Sequence, residues 1–98
     1  MFVVIANWPQ PRHAHWLALL HARAIENQAF VVAVNRCGRD PQHRYGGGSR
    51  IIDPKGNVLA GAGDNECVIQ ATIDLHELIE YRKHFPALRD MRSEFLSN

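Results

Sequence analysis

The chain has 98 residues, of which 46% are hydrophobic and 21% are charged, and its formal net charge is +1 at neutral pH. This composition is typical of one small globular domain and excludes an intrinsically disordered chain. Because the arginines and lysines are scattered along the sequence, we expect no nucleic-acid partner. The apolar runs are too short to span a bilayer and the first residues lack a signal-peptide pattern, so we expect no membrane association and a cytoplasmic protein.

The first part of the sequence predicts a strand, a helix and a second strand. Residues 1–6 are apolar and largely β-branched, as in a buried strand, and a strand at the very start of a chain suggests that earlier elements of a larger sheet are missing. Two prolines in residues 7–11 predict a rigid loop. Residues 14–28 contain no glycine or proline and place apolar side chains at helical spacing. Residues 30–35 again have the composition of a buried strand.

The second part predicts shorter elements. Residues 36–48 are rich in glycine and predict a long loop, and residues 49–60 predict a hairpin around a Pro-Lys-Gly turn. Residues 66–74 alternate between apolar and polar, as a strand with one buried side does. A short helix is expected over residues 75–84, followed by an amphiphilic tail over about 86–98 that needs a surface to pack on.

The order of these elements predicts an α/β fold in which helices cover one face of a mixed sheet. The other face of that sheet is then left without cover. The two cysteines, Cys37 and Cys67, are predicted to be free thiols, because disulfides are rare in a chain without a secretion signal.

An ordered series of short motifs accompanies the predicted elements. In chain order it comprises Asn7-Trp8-Pro9, Ala22-Arg23-Ala24-Ile25-Glu26-Asn27-Gln28, Val34-Asn35-Arg36, Tyr45-Gly46-Gly47 and Ile52-Asp53-Pro54. One such motif carries little weight, but the series resembles the nitrilase superfamily of carbon–nitrogen hydrolases, and its omega-amidase-like branch in particular. The resemblance covers nearly the whole chain and identifies residues 1–98 as the C-terminal part of a carbon–nitrogen hydrolase domain.

The resemblance implies the α-β-β-α sandwich of the nitrilase superfamily and a homodimer. It also implies hydrolysis of a small non-peptide amide to a carboxylate and ammonia through a cysteine thioester, without a cofactor. The family uses a Glu, a Lys and a Cys, and its Cys sits in a Cys-Tyr-Asp-Leu-Arg-Phe-Pro segment that these 98 residues do not contain. Neither Cys37 nor Cys67 matches that position, so we predict that no catalytic residue lies in this chain and that the chain alone is inactive.

Asn7 and Trp8 are the predicted substrate-binding residues. They follow a strand, at the end where α/β sheets place ligands, and in the family this loop borders the pocket. The alternative is that Trp8 and Pro9 only pack the loop.

Other chemistry-bearing residues favour less specific roles. His13, His15 and His21 are two and six residues apart, whereas helical metal ligands lie three or four apart, so no metal site is predicted. Cys37 has arginines nearby in sequence, and a small thiol enzyme using it is a third hypothesis. The first hypothesis is part of an amidase that acts on a small-molecule amide. The second is a non-catalytic interaction or dimerisation module.

Overall fold

A computed structural model describes residues 1–85 of the chain, so the predicted tail lies outside the described residues. A short 3-10 helix, Gln10–Arg12, precedes the first α-helix. The strands and α-helices are, in chain order, β1 Phe2–Ala6, α1 His13–Asn27, β2 Val31–Asn35, β3 Cys37–Arg39, β4 Arg44–Gly46, β5 Arg50–Ile52, β6 Val58–Gly61 and α2 Leu75–His84.

Four strands form a mixed sheet in the order β1-β2-β5-β6, which confirms the predicted α/β class. β1 and β2 run parallel, with Phe2 opposite Val31 and Ala6 opposite Asn35, and the remaining neighbours are antiparallel. A parallel pair cannot be joined by a tight turn, and here α1 provides the crossover. The prolines that follow β1 explain why the chain leaves the sheet there.

The core lies between α1 and one face of this sheet. Apolar side chains one helical turn apart on α1 point at alternate residues of β2 and at the end of β5. The buried cluster consists of Trp16, Leu20, Ala24, Val31, Ala33 and Ile52. Full burial of a Val or Ile side chain stabilises the fold by about 1.5 to 3 kcal/mol, so this small cluster supplies much of the stability of the described part.

Gln28 ends α1 and ties it to α2. Its backbone is left-handed, with φ at 46°, and its side chain is buried. The side-chain Nε2 of Gln28 donates to the carbonyl of Phe85 at 2.6 Å, and the backbone carbonyl of Gln28 accepts from Nε of Arg82 at 2.9 Å. The side-chain N–H and the backbone carbonyl of Gln28 are therefore paired with residues more than fifty positions away.

The sheet face opposite α1 is uncovered in the described part of the chain, as predicted. Side chains alternate along a strand, so Val3, Ile5 and Val34 share this face. They are 61%, 83% and 48% exposed, respectively.

Two predictions about the connections were wrong. Residues 36–48 are not only a loop, because β3 and β4 pair within them as a two-stranded ribbon. Residues 66–74 form no strand, since no strand among residues 1–85 pairs with them. The predicted alternation is still visible there, because Ile69, Ala71 and Ile73 are half-buried while the residues between them are exposed. An alternating pattern shows which side of a segment is buried, but a strand also needs a neighbour.

The two α-helices are the elements to consider as membrane spans. Within residues 1–85, neither is long and apolar enough to cross a bilayer.

Candidate functional site

The candidate site is built where β1 and β2 end. Because these two strands are parallel neighbours, their carboxyl ends meet at one edge of the sheet. Asn7 and Trp8 follow β1 directly, and Arg36 follows β2. Sheet edges of this kind are where α/β proteins gather ligand-binding residues.

Asn35 holds the two strand ends together. Its Oδ1 accepts a hydrogen bond from the backbone N–H of Trp8 at 2.8 Å, and its Nδ2 donates to the carbonyl of Gly47 at 2.9 Å. Its own backbone N–H donates to Oγ of Ser49 at 2.9 Å. Asn35 is only 5% exposed, and its bond to Gly47 is buried, so water cannot easily replace that bond. The geometry of the loop after β1 is thus set by a single buried amide.

Trp8 has its polar group already committed. The indole Nε1 donates to the carbonyl of Arg12 at 2.7 Å, and the ring is half-buried against the core cluster. These contacts give Trp8 a packing role and fix its ring as an apolar wall of the loop. Contact between Trp8 and a substrate stays a prediction.

Tyr45 connects the loop after β1 with the β3–β4 ribbon. Its hydroxyl donates to Oδ2 of Asp40 at 2.8 Å, and this bond is the largest cause that raises the pKa of Tyr45. The side chain of Asn7 is a polar neighbour of the same hydroxyl and opposes that rise. The Cζ of Arg36 lies 4.4 Å from the centroid of the Tyr45 ring, a cation–π arrangement. One phenol thus brings three polar side chains together.

Asp40 organises the turn of the ribbon. Its Oδ1 accepts from the backbone N–H groups of Gln42 and His43, at 2.9 and 2.7 Å. The bonds from Gln42, Tyr45 and His43, in that order, lower the pKa of Asp40 from 3.8 to about 2. The carboxylate is therefore ionised at neutral pH, and it lies within 3.5 Å of Nη1 of Arg36.

The three histidines singled out from the sequence are not brought together. His13 packs on the glycine loop, where a Cβ added at Gly46 would lie 2.8 Å from its Nδ1. His21 bridges two other elements, with Nδ1 2.8 Å from the carbonyl of Gly56 and Nε2 3.2 Å from Nη1 of Arg50. Among residues 1–85, no three His, Cys, Asp or Glu side chains are grouped to hold a metal ion. Both cysteines are free thiols, as predicted.

A separate open cavity of about 820 Å³ lies beside α2 and the β5–β6 hairpin. None of the strand-end residues lines it. Two of its carboxylates have structural partners, since Asp53 accepts turn bonds from Lys55 and Asn57, and Asp74 caps α2. The strand ends are therefore the better candidate for chemistry.

The sequence analysis did not select Asn35, Arg36 or Asp40 for this site. The argument that selected Asn7 applies equally to the end of β2 and points to Asn35 and Arg36. No sequence signal identifies Asp40, since its role depends on the β3–β4 pairing.

Comparison with known proteins identifies the family of this chain. The model of the carbon–nitrogen hydrolase family matches residues 2–83, and the chain therefore belongs to that family. This confirms the resemblance recognised in the motifs.

Individual relatives of this chain include omega-amidases of that family. The chain is 48% identical to the 2-oxoglutaramate amidase of Bacillus subtilis strain 168, over 93% of this chain and 35% of that protein. It is 49% identical to omega-amidase YafV of Escherichia coli K12, over 88% of this chain and 34% of that protein. The chain thus spans about a third of the length of the curated relatives it matches, and its placement in their C-terminal part stays a prediction.

A solved structure supports the fold. XC1258 from Xanthomonas campestris, a CN-hydrolase superfamily protein with an arsenic adduct in its active site, matches with a TM-score of 0.84 and 41% identity. The match covers 94% of this chain and 36% of that one.

Proposed function

We propose that this chain is part of an amidase that hydrolyses small dicarboxylate monoamides, of which 2-oxoglutaramate is the leading example. One observation carries the proposal: the chain is nearly half identical, over most of its length, to a relative named for that reaction. The residues gathered at the strand ends support it, because they form the edge where a pocket of this family is expected.

The proposed chemistry proceeds through a thioester. A cysteine thiolate attacks the amide carbonyl, ammonia leaves with a proton from a general acid, and water then releases the carboxylate from the thioester. We infer that the Glu, Lys and Cys of this reaction come from outside the 98 residues. In this proposal the chain completes the pocket, with Asn7 as a polar contact and Trp8 as an apolar wall. A homodimer and a cytoplasmic location belong to the same proposal.

The test starts from the open reading frame that contains the codon of Met1. We expect this frame to encode a Glu, a Lys and a Cys-Tyr-Asp-Leu-Arg-Phe-Pro-like segment, and its product to release ammonia from 2-oxoglutaramate. Within that product, Asn7→Ala removes one hydrogen-bonding group, so we expect kcat/KM to fall about 2- to 10-fold. Asn57→Ala, at an exposed turn on the β5–β6 hairpin, is the control. A product that releases no ammonia from any small amide contradicts the proposal.

The uncovered sheet face favours a second candidate, a non-catalytic interaction module. Three apolar side chains on one face, Val3, Ile5 and Val34, are 48% to 83% exposed in the described part. Exposed apolar patches of this kind mark association surfaces. On this alternative the purified 98-residue chain self-associates in sedimentation experiments, and Ile5→Lys weakens that association. A chain that is soluble and monomeric counts against it.

A further inference from the structure

We propose that Arg36 binds the carboxylate of the substrate, the group at the opposite end from the amide that is cleaved. This inference rests on the proposed function and names the residue that selects charged over neutral amides. Its basis is the position, the anchoring and the free hydrogen-bonding capacity of this arginine.

The backbone of Arg36 is fixed on both sides. Its N–H donates to the carbonyl of Ala6 at 3.2 Å, and its carbonyl accepts from the N–H of Gly47 at 3.1 Å. These bonds continue the sheet past the end of β2 and join it to the glycine loop. The guanidinium is thus presented from a rigid strand end beside Asn7, so little conformational entropy is lost when it binds an anion.

The side chain of Arg36 is held in place, but most of its hydrogen-bond donors are unused within residues 1–85. The Cζ of its guanidinium lies 4.4 Å from the centroid of the Tyr45 ring. Within residues 1–85 the hydrogen bonding of this side chain is limited to Asp40, through one contact of 3.5 Å. A guanidinium carries five N–H donors, and a two-pronged carboxylate fits them in a paired geometry. The side chain is also 43% exposed, so a small anion can reach it.

Charge around this position favours an anion. Residues 36–46 contain three arginines and one carboxylate, while the whole chain has a formal net charge of +1. Two of these arginines, Arg39 and Arg44, lie directly opposite each other across the ribbon. Because side chains alternate, they occupy the ribbon face away from Tyr45 and act on a ligand at Arg36 only at long range. Arg44 is therefore a matched control for the loss of one positive charge.

If the role of Arg36 were only structural, it would cover Tyr45 and would not contact the substrate. Two substrates distinguish this structural role from carboxylate binding. Glutaramate and pentanamide have the same carbon chain and the same amide, but only glutaramate carries a carboxylate. In the product of the open reading frame, we expect Arg36→Gln to lower kcat/KM for glutaramate about 10- to 100-fold, and for pentanamide less than about 2-fold. Arg36→Lys keeps the charge but loses the paired geometry, so its loss on glutaramate is intermediate.

Arg44→Gln should change kcat/KM for both substrates by less than about 2-fold, since an exposed charge at this distance is screened by salt. An equal loss on both substrates in Arg36→Gln, or no loss on glutaramate, overturns the proposal.

Failure of the proposed function has a different signature, which is that the unsubstituted protein hydrolyses neither amide. The site is then tested by titrating the protein with glutarate and following the Nε–H resonance of Arg36. A saturable shift of this resonance that persists in Arg44→Gln supports the anion site without the enzyme. An Arg36 resonance that glutarate does not move rejects it.

Discussion

Asn35 is the residue whose removal tests the described architecture most sharply. In Asn35→Ala, the backbone N–H of Trp8 and the carbonyl of Gly47 each lose a partner, at 2.8 and 2.9 Å. A buried polar group left without a partner costs about 1 to 3 kcal/mol. The third contact, to the Trp8 carbonyl at 3.4 Å, is too long to add much.

The Trp8 bond is only partly buried, so water can replace some of it, whereas the Gly47 bond is buried. We therefore expect Asn35→Ala to lower the free energy of unfolding by about 2 to 4 kcal/mol. That is a large fraction of the roughly 5 to 15 kcal/mol by which small domains are stable. Asn35→Asp keeps the acceptor for Trp8 but loses the donor to Gly47 and buries a charge, so it should be at least as damaging.

The assay is urea denaturation of the purified chain, followed by tryptophan fluorescence, with Asn27→Ala as the control. Asn27 also donates a side-chain bond to a backbone carbonyl, that of Arg23 at 2.9 Å, but this bond is exposed. Its loss should change the free energy of unfolding by less than about 0.5 kcal/mol. If Asn35→Ala is no more destabilising than Asn27→Ala, the reasoning about the strand ends is refuted.

Two further predictions concern the ribbon and the glycine loop. Because the pKa of Asp40 is lowered to about 2, its contribution to the stability of the ribbon is complete above pH 4 and is lost as the pH falls towards 2. Asp40→Asn should remove this pH dependence. Amide hydrogen exchange in the turn measures the stability of the ribbon, and protection that is unchanged down to pH 2 contradicts the prediction. Gly46→Ala should destabilise the fold by about 1 to 3 kcal/mol, because the added Cβ would meet the His13 ring. In a double-mutant cycle, His13→Ala should restore part of this lost stability. Fully additive effects of the two substitutions on the free energy of unfolding contradict the contact.

Much of the fold was predictable because local chemistry and tertiary packing agree there. The strand over residues 1–6 and the helix over residues 14–28 have periodicities that match the faces they bury, and the structure has β1 and α1 within a residue or two of them. Residues 66–74 show where this reasoning ends. Their alternation is correct for burial, but strand formation depends on a neighbouring strand, and no pattern within the segment reports whether one is present.

At the candidate site the sequence reasoning reaches only the residues that directly end or follow a strand. Asn7 could be found because it follows a strand, while its proximity to Tyr45 depends on how a later ribbon folds back over the sheet edge. The polar partners of Asp40 are likewise set by a turn four residues long, which the sequence analysis treated as loop. Long-range hydrogen bonds such as that from Trp8 to Asn35, 27 positions apart, leave no periodic signal.

The most direct test of the proposed function is ammonia release from 2-oxoglutaramate, measured in parallel for the open reading frame product and for the 98-residue chain alone. We predict release by the former and none by the latter, since the chain contributes the pocket edge and not the nucleophile. Release by the 98-residue chain alone, abolished by Cys37→Ser, would contradict the account and make Cys37 the nucleophile.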